Sequence, residues 1–559
     1  MARERSTAAR LVALAAFCGC GGGDTPDVPL TPVRVAVVTE VPHLRCAMAA
    51  EAAVPDGRTA GGVECLPVGA QARAAVDWPE PPATAPFRAP VRYVSPMATA
   101  GGDGTTRERA FNSLTAAAAS LGDAGGTLVL SRGRLALDQP LELLGPVAVV
   151  GAGAGEGSTV ALTGAGALRL RGVGAELRDL AVVREGAPPT AGAPSVEVPS
   201  GASARLEDVR VEGAGVGLLV SGGSVEAQRV TVARSAGDGV KVTLGGRAVL
   251  ARLYVHHGAG RGVVSEASVV HLRDSLVYEN GDTGVLLQGR AGMGAGAASC
   301  GLEGPSGAGA LQCLSRVSIV CNTRVGLAVS GITVASPGPE VEGRRLNVSG
   351  TRSTGRDGDG VYLGARSVLR LDRDLRDDAL RGAGSQVLGN ARTGFLASGA
   401  SRLAVSGARV GYNLGPGMMV QDSATVESLG YSAFLQNRGL SVGVTPTGSV
   451  VEIVCNTITE TIPARLATAL GMLEAADGIS VGGSVVAGAD GAVAVRQNDV
   501  QQNARFGMLF DGRVTVTLQG NRVTQNGFPI GAYNGATISG AGYSPEAQPR
   551  AVPPRVTGL

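Results

Sequence analysis

Lysine is almost missing from this chain: Lys241 is the only one among 49 basic residues, the rest being arginine. Charge is sparse altogether, 17% of residues against roughly 25% in an average soluble domain, and the formal net charge is +2. No basic footprint for nucleic acid or for an anionic membrane surface results. Aromatic residues make up 3%, with Trp78 the single tryptophan, which disfavours a saccharide groove built on aromatic platforms. No apolar run approaches the ~20 residues needed to cross a bilayer as a helix. Proline and glycine, 29 and 86 of 559, stay below the roughly 25–30% of low-complexity disorder, while 44% of residues are hydrophobic. What is abundant is glycine, at about twice its usual share of roughly 7%. A folded chain rich in turns is implied.

The N-terminus carries Arg3, Arg5 and Arg10, then the apolar run Leu11 to Phe17, then Cys18-Gly19-Cys20. This is the layout of an export signal. It resembles a bacterial lipoprotein signal, in which a small residue precedes the acylated cysteine; Gly19 before Cys20 fits, whereas Phe17 stands where that pattern usually has Leu. The resemblance implies a lipid anchor at Cys20, residues 21–32 as a flexible tether, and the outer membrane as destination. Secretion without an anchor is the alternative.

From about residue 205 a unit recurs, marked by Gly217, Gly239, Gly262, Gly284, Gly326, Gly360, Gly394, Gly417, Gly439, Gly478 and Gly507. The uninterrupted steps are 22 or 23 residues. A strand-rich period of this length signals a solenoid, because one turn cannot bury its apolar face until the next stacks on it. One residue after the glycines stand Val240, Val263, Val285, Leu327, Val361, Phe395, Met418, Leu440, Ile479 and Met508; three after stand Val242, Leu287, Val329, Leu363, Val420, Val442, Val481 and Phe510. Period-two alternation puts both columns on one face, the interior. A third interior column is read as Val232, Val255, Val277, Ile319, Val387, Val410, Ile453 and Val500. Four residues before the glycine, Asn280, Asn322, Asn390, Asn413 and Asn503 recur, as expected of an amide ladder at a turn.

These columns resemble the single-stranded right-handed parallel β-helices of the pectate-lyase-like superfamily. Tyr93-Val94-Ser95-Pro96, Gly102-Asp103-Gly104-Thr105 and Ala110-Phe111 are similar to the opening of bacterial secreted members, in which a first strand leads to a short helix. The resemblance implies an all-β fold with a capping helix over 111–121. The chain then divides into a signal at 1–20, a tether and small N-terminal region at 21–91, the β-helix at 92–540 and a tail at 541–559. The enzyme signatures of the superfamily are missing: no Arg-x-Pro-x-x-Arg, no Asn-Thr-Asp with Asp-Asp, and no Asp-Pro-His-Asp.

Export favours disulfides. Cys46 with Cys65, and Cys300 with Cys313 around a glycine-rich insertion, form the natural pairs. Cys321 and Cys455 share an Ile-Val-Cys-Asn-Thr string and are read as one column five markers apart, about 24 Å, too far to bridge. Two buried free thiols are expected, or a bridge from Cys321 to the 300–313 loop.

Two places hold candidate chemistry. Insertions at 291–314, 331–343 and 366–384, read as equal in phase, would wall one side of the coil. The last carries Asp374 and Asp377, and Asp357 and Asp359 lie in the turn before Gly360. Grouped carboxylates could bind Ca2+ or act as a general acid and base; a solvated loop paired with Arg373, Arg376 and Arg381 is the plainer account. The other is the column five before the glycine: Arg234, His257 and Glu279, with His256 and Tyr278 beside them, continuing as Cys321, Gly389, Tyr412 and Phe434. A His and Glu on adjacent turns can share a proton. A turn position tolerant of many residues explains the column equally. Val264, Leu286, Ala328, Tyr362, Leu396, Met419 and Leu509 make an outward apolar stripe, which is either covered by the insertions or the region 33–90, or docks a protein partner. The expected role is binding or structural at the cell envelope, towards polysaccharide or protein; the alternative is a carbohydrate-active lyase, hydrolase or epimerase in the walled groove. No metal site is assigned, and no membrane contact beyond the anchor.

Overall fold

A computed structural model describes residues 53–55, 65–67, 70, 76–80, most of 87–540, and 556–557; within the long span 189, 191, 292–298, 302–303, 307–309, 334, 354–356, 373–383, 446, 469–470 and 483–491 are not described. One turn shows how the sequence builds it. Val240–Thr243 forms a strand of a first sheet, Arg247–Ala251 a strand of a second, and Tyr254–His256 a strand of a third, after which the chain returns to the first sheet at Val263. Each strand pairs in parallel with its copy one turn later: Val240 with Val263, Arg247 with Val269, Tyr254 with Leu276. The first sheet runs to fifteen strands, from Pro140–Leu143 to Phe528–Tyr533 in chain order. At a spacing of roughly 4.8 Å it is about 65 Å long. The chain is an all-β, single-stranded parallel β-helix, and its crossovers take the right-handed sense that parallel connections obey.

The interior is the stacked apolar columns. Val240, Val263 and Val285 are 0% exposed, and Val242, Leu287, Val255 and Val277 belong to the same continuous core. The marker glycine is dictated by close approach: a Cβ on Gly239 would sit 2.4 Å from Val255 Cγ1 and 2.7 Å from the Gly262 carbonyl. Helix α1, Leu114–Leu121, begins on the Ser113 side chain, which accepts from the Ala116 amide, and adds Leu114, Ala117 and Leu121 to the core.

Five sequence expectations need correction. Opposite Met418 stands Val442, not Leu440, so Ser441 rather than Gly439 occupies the marker position there. Its hydroxyl meets Thr461 Oγ1 at 2.7 Å. Ile453 lies in the second sheet; the third-sheet column runs Val410, Phe434, Ile458, Val500. The third insertion is out of phase with the other two. Val368–Leu371 continues the second sheet between Glu340–Gly343 and Arg402–Val405, so the loop leaves at the second corner, not the first. Cys321 and Cys455 are not in one column either. Cys321 follows Val320 in the third sheet, whereas Cys455 follows Val454, paired with Gly430 in the second. Both are disulfide-bonded rather than free. Cys300 and Cys313 take each other. Cys20, Cys46 and the Cys65 side chain also lie outside them.

The N-terminal strands Ala53–Pro55 and Cys65–Pro67 pair antiparallel. The first lies against Val269–Tyr278 and Gln312–Val320, and the Ala70 amide donates to Thr231 Oγ1 at 2.9 Å. Beside it Leu276, Tyr278 and Cys321 form a small apolar cluster on the outer face of the coil, with Tyr254 and Val320 packed on them. The apolar stripe on the first sheet is not open surface: Val264, Ala328, Leu396 and Leu509 are buried, and Leu286, Tyr362 and Met419 half-buried.

Candidate functional site

Both corners that flank the third sheet put a residue in the left-handed backbone region on almost every turn. At the far corner these are Gly213, Arg234, His257, Glu279, Cys321, Gly350, Gly389, Tyr412, Gln436, Glu460, Gln502 and Gln525, with φ between 48° and 71°. Gln436 stands where the sequence frame placed Phe434, which is interior. Non-glycine residues are uncommon here; from Gly213 to Gln502 each position donates its backbone N–H to a carbonyl of the next turn, as Arg234 does to His256 and Tyr412 to Leu435, and several add a side-chain partner one turn away. Arg234 pairs with Glu212, Gln436 donates to Glu460 at 2.5 Å, and Gln502 to Gln525 at 3.1 Å.

The asparagine column is bonded through its amides. Asn280 Nδ2 donates to Asn322 Oδ1 at 3.0 Å, Asn390 to Asn413 at 3.0 Å, Asn413 to Asn437 at 2.9 Å, and Asn503 to Asn526 at 2.8 Å. A second ladder at the other corner, Asn456, Asn498 and Asn521, escaped the sequence reading; its 23-residue step from Asn498 to Asn521 was the available signal.

His257 and Glu279 come together, with His256 as a third member. His257 Nε2 lies 2.8 Å from Glu279 Oε2, and the Nδ1 atoms of His256 and His257 are 2.7 Å apart. Arg352, two turns further on, reaches the other carboxylate oxygen, Oε1. The His256 ring stacks on Tyr254 with centroids 4.1 Å apart, and the Tyr278 ring stands edge-on to His257 at 5.7 Å. Burial pushes His256 down to about 4, with the positive charges of His257, Arg234 and Arg210 adding to it. Burial also raises Tyr254 to about 12 and Tyr278 upward, so both phenols stay neutral. The His257 side chain is 36% exposed, so the row meets solvent at its central ring.

A proton must lie between the two Nδ1 atoms, which fixes the tautomers. With Glu279 ionised beside Arg352, His257 donates from Nε2 and, when neutral, accepts at Nδ1. His256 then donates from Nδ1 and keeps a lone pair on Nε2. Among the described residues that Nε2 meets no protein partner.

The acidic candidates do not converge. Asp357 is paired with Arg324, at 3.1 and 2.6 Å, and Asp359 with Arg392 at 3.1 Å and the Thr393 amide at 3.2 Å. Burial raises Asp359, which Arg392 partly offsets. Asp374 and Asp377 lie outside the described residues. Among the described residues no group of three His, Cys, Asp or Glu side chains is arranged so that it could hold a metal ion.

No protein-family model and no curated protein matches the chain. Solved structures similar to it include the A-module of the Azotobacter vinelandii mannuronan C-5 epimerase AlgE4, 16% identical, covering 81% of this chain and 98% of its own, with a TM-score of 0.31. A GH87 α-1,3-glucanase catalytic unit from Streptomyces thermodiastaticus is 12% identical over 85% of this chain and 71% of its own, TM-score 0.29. The periplasmic alginate epimerase AlgG is 9% identical over 75% and 79%, TM-score 0.27. Likeness this loose decides nothing about chemistry.

Proposed function

We propose that the chain is an exported, lipid-anchored β-helix that binds an extended polysaccharide at the cell envelope, with Cys20 as the acylated residue and the outer membrane as its site. The observation that carries the reading is the length and rigidity of the coil. Fifteen stacked turns in the first sheet give the coil a length of about 65 Å, and a rigid body of that length suits a repeating polymer better than a compact ligand. Carboxylates along the coil are matched by arginines rather than aimed together, as Asp238 is by Arg261 and Asp477 by Arg505. That arrangement suits holding a ligand more than hydrolysing one. A second reading, a carbohydrate-active enzyme, is favoured by the His256–His257–Glu279 row alone.

A glycan array followed by product analysis, on the chain made without residues 1–20, separates the two. Retained and unaltered polysaccharide supports binding; products support the enzyme; retention of a protein partner and no glycan overturns both. Mass spectrometry of the membrane fraction tests the anchor, which Cys20→Ala is expected to abolish.

A further inference from the structure

We propose that His256, His257 and Glu279 form one proton-accepting centre for a hydroxyl of a bound saccharide, in which the proton arrives at His256 Nε2 and the charge settles on His257. This rests on the enzyme reading above.

The geometry supports a two-ring relay. A proton leaving the hydroxyl oxygen bonds to the Nε2 lone pair of His256, and the O–H electron pair stays on the saccharide oxygen. The Nδ1 proton of His256 crosses the 2.7 Å gap to Nδ1 of His257. His257 already donates from Nε2 to Glu279 over 2.8 Å, so it becomes an imidazolium directly beside a carboxylate that Arg352 holds from its other side. One proton enters and one positive charge appears, displaced by a ring from the place of entry. Alone, His256 is a poor seat for that charge: Tyr254 covers one face of its ring, and it lies among the Arg234 and Arg210 charges that Glu212 only partly answers. The corner conformation makes the row possible. Left-handed φ values of 55° at His257 and 49° at Glu279 stack these side chains on successive turns, while His256, at the end of the strand, points outward beside Tyr254.

Selective ¹⁵N labelling of histidine tests this in the intact chain, which holds four histidines. At pH 7 His256 is expected as the Nδ1–H tautomer, and on acidification the two rings are expected to move through one shared midpoint. Glu279→Gln should uncouple them without unfolding the coil, as circular dichroism would verify. A saccharide hit from the array should shift His256 Nε2, and His256→Gln should lower product formation by about 100-fold or more while binding persists. An Nε2–H tautomer at pH 7, or rings that titrate independently in the unsubstituted chain, would overturn the centre even if glycan binds. Coupled rings in a chain that retains no glycan would overturn the saccharide reading and leave the proton relay standing.

Discussion

The corner between the second and third sheets is built in two ways along one molecule. In the N-terminal half it is ionic: Asp208, Arg229, Arg252, Asp274 and Arg316 succeed one another, Arg229 bonding Asp208 at 2.9 and 2.8 Å and Arg316 bonding both oxygens of Asp274. In the C-terminal half the left-handed position is held by Tyr431, Cys455, Gln497 and Gly520, and the residues that follow are Ser432, whose amide donates to Asn456 Oδ1, and then the Asn456–Asn498–Asn521 amides. The backbone is the same in both, with φ between 51° and 54° at Asp208, Arg229, Asp274, Arg316, Tyr431, Cys455 and Gln497. What a parallel coil requires of a corner is therefore a bond to the next turn rather than a residue type. The ionic version has one further demand. Asp274 and Arg316 are 5% and 3% exposed, so each charge depends on the other.

Asp274→Ala should break this contrast hardest. It removes the carboxylate that holds the buried Arg316 guanidinium through both oxygens, a loss expected to cost about 3–5 kcal/mol. Because a solenoid opens locally, the loss should show as faster amide hydrogen exchange in Val269–Tyr278 and Gln312–Val320, with little change beyond residue 400. Uniform acceleration over the whole coil would contradict local coupling.

Acid should separate the halves next. His271 is 4% exposed and faces Cys313 across the ladder, and among the described residues neither ring nitrogen has a hydrogen-bond partner; burial, with Arg247 nearby, lowers it to about 4. Its folded value lies below its unfolded one of about 6.5, so the contribution is intact above 6.5 and is lost as the pH falls from there towards 4. The full shift is worth about 3 kcal/mol. Exchange around Val269–Tyr278 should accelerate over that window, and His271→Leu should remove the effect. Equal acid sensitivity in the variant would assign it to other groups.

The interior of this coil was legible in sequence because its columns admit only apolar residues, so Val240, Val263 and Val285 announce their own register. The asparagine ladder was legible for the same reason: one chemistry, one position. The frame slipped where Ser441 replaces glycine and bonds Thr461, since a pattern keyed to glycine passes over a serine that solves the close approach differently. The two Val-Cys-Asn strings looked equivalent because both corners accept the same local sequence; only pairing across turns tells them apart. His256 was seen beside His257, but its part in the row depends on Arg352, 73 residues beyond Glu279, which no local pattern connects to it.

The amide ladder should respond less than the ionic pair. Asn498 Nδ2 donates to Asn521 Oδ1 at 2.9 Å and to the Ile453 carbonyl at 2.9 Å, while its own Oδ1 accepts from Asn456. Asn498→Ala should cost about 2–3 kcal/mol through the buried groups left unpaired. Asn498→Asp should serve as the discriminating variant, because a carboxylate keeps the acceptor and loses the donated bonds to Asn521, Ile453 and Arg496. If the two variants expose Glu452–Val454 to exchange equally, the donors matter and the acceptor does not.

The smallest expected effect is a gain. Gln312 is 0% exposed and lies opposite Val341 in the ladder; its neighbour Cys313 faces outward with His271, which turns the Gln312 side chain into the apolar column between Val270 and Val341. Among the described residues neither its side-chain amide nitrogen nor its side-chain carbonyl oxygen has a hydrogen-bond partner. A buried amide without partners costs more than an alkyl group of similar volume in that position. Gln312→Leu should therefore stabilise these turns by about 1 kcal/mol, read as slower exchange at Val270 and Val341. Since the ionic corner at Arg316 lies on the same strand, the gain should persist in the Asp274→Ala background if column and corner are energetically separate, and shrink if a corner that has lost its pair lets the strand shift enough for the amide to find water.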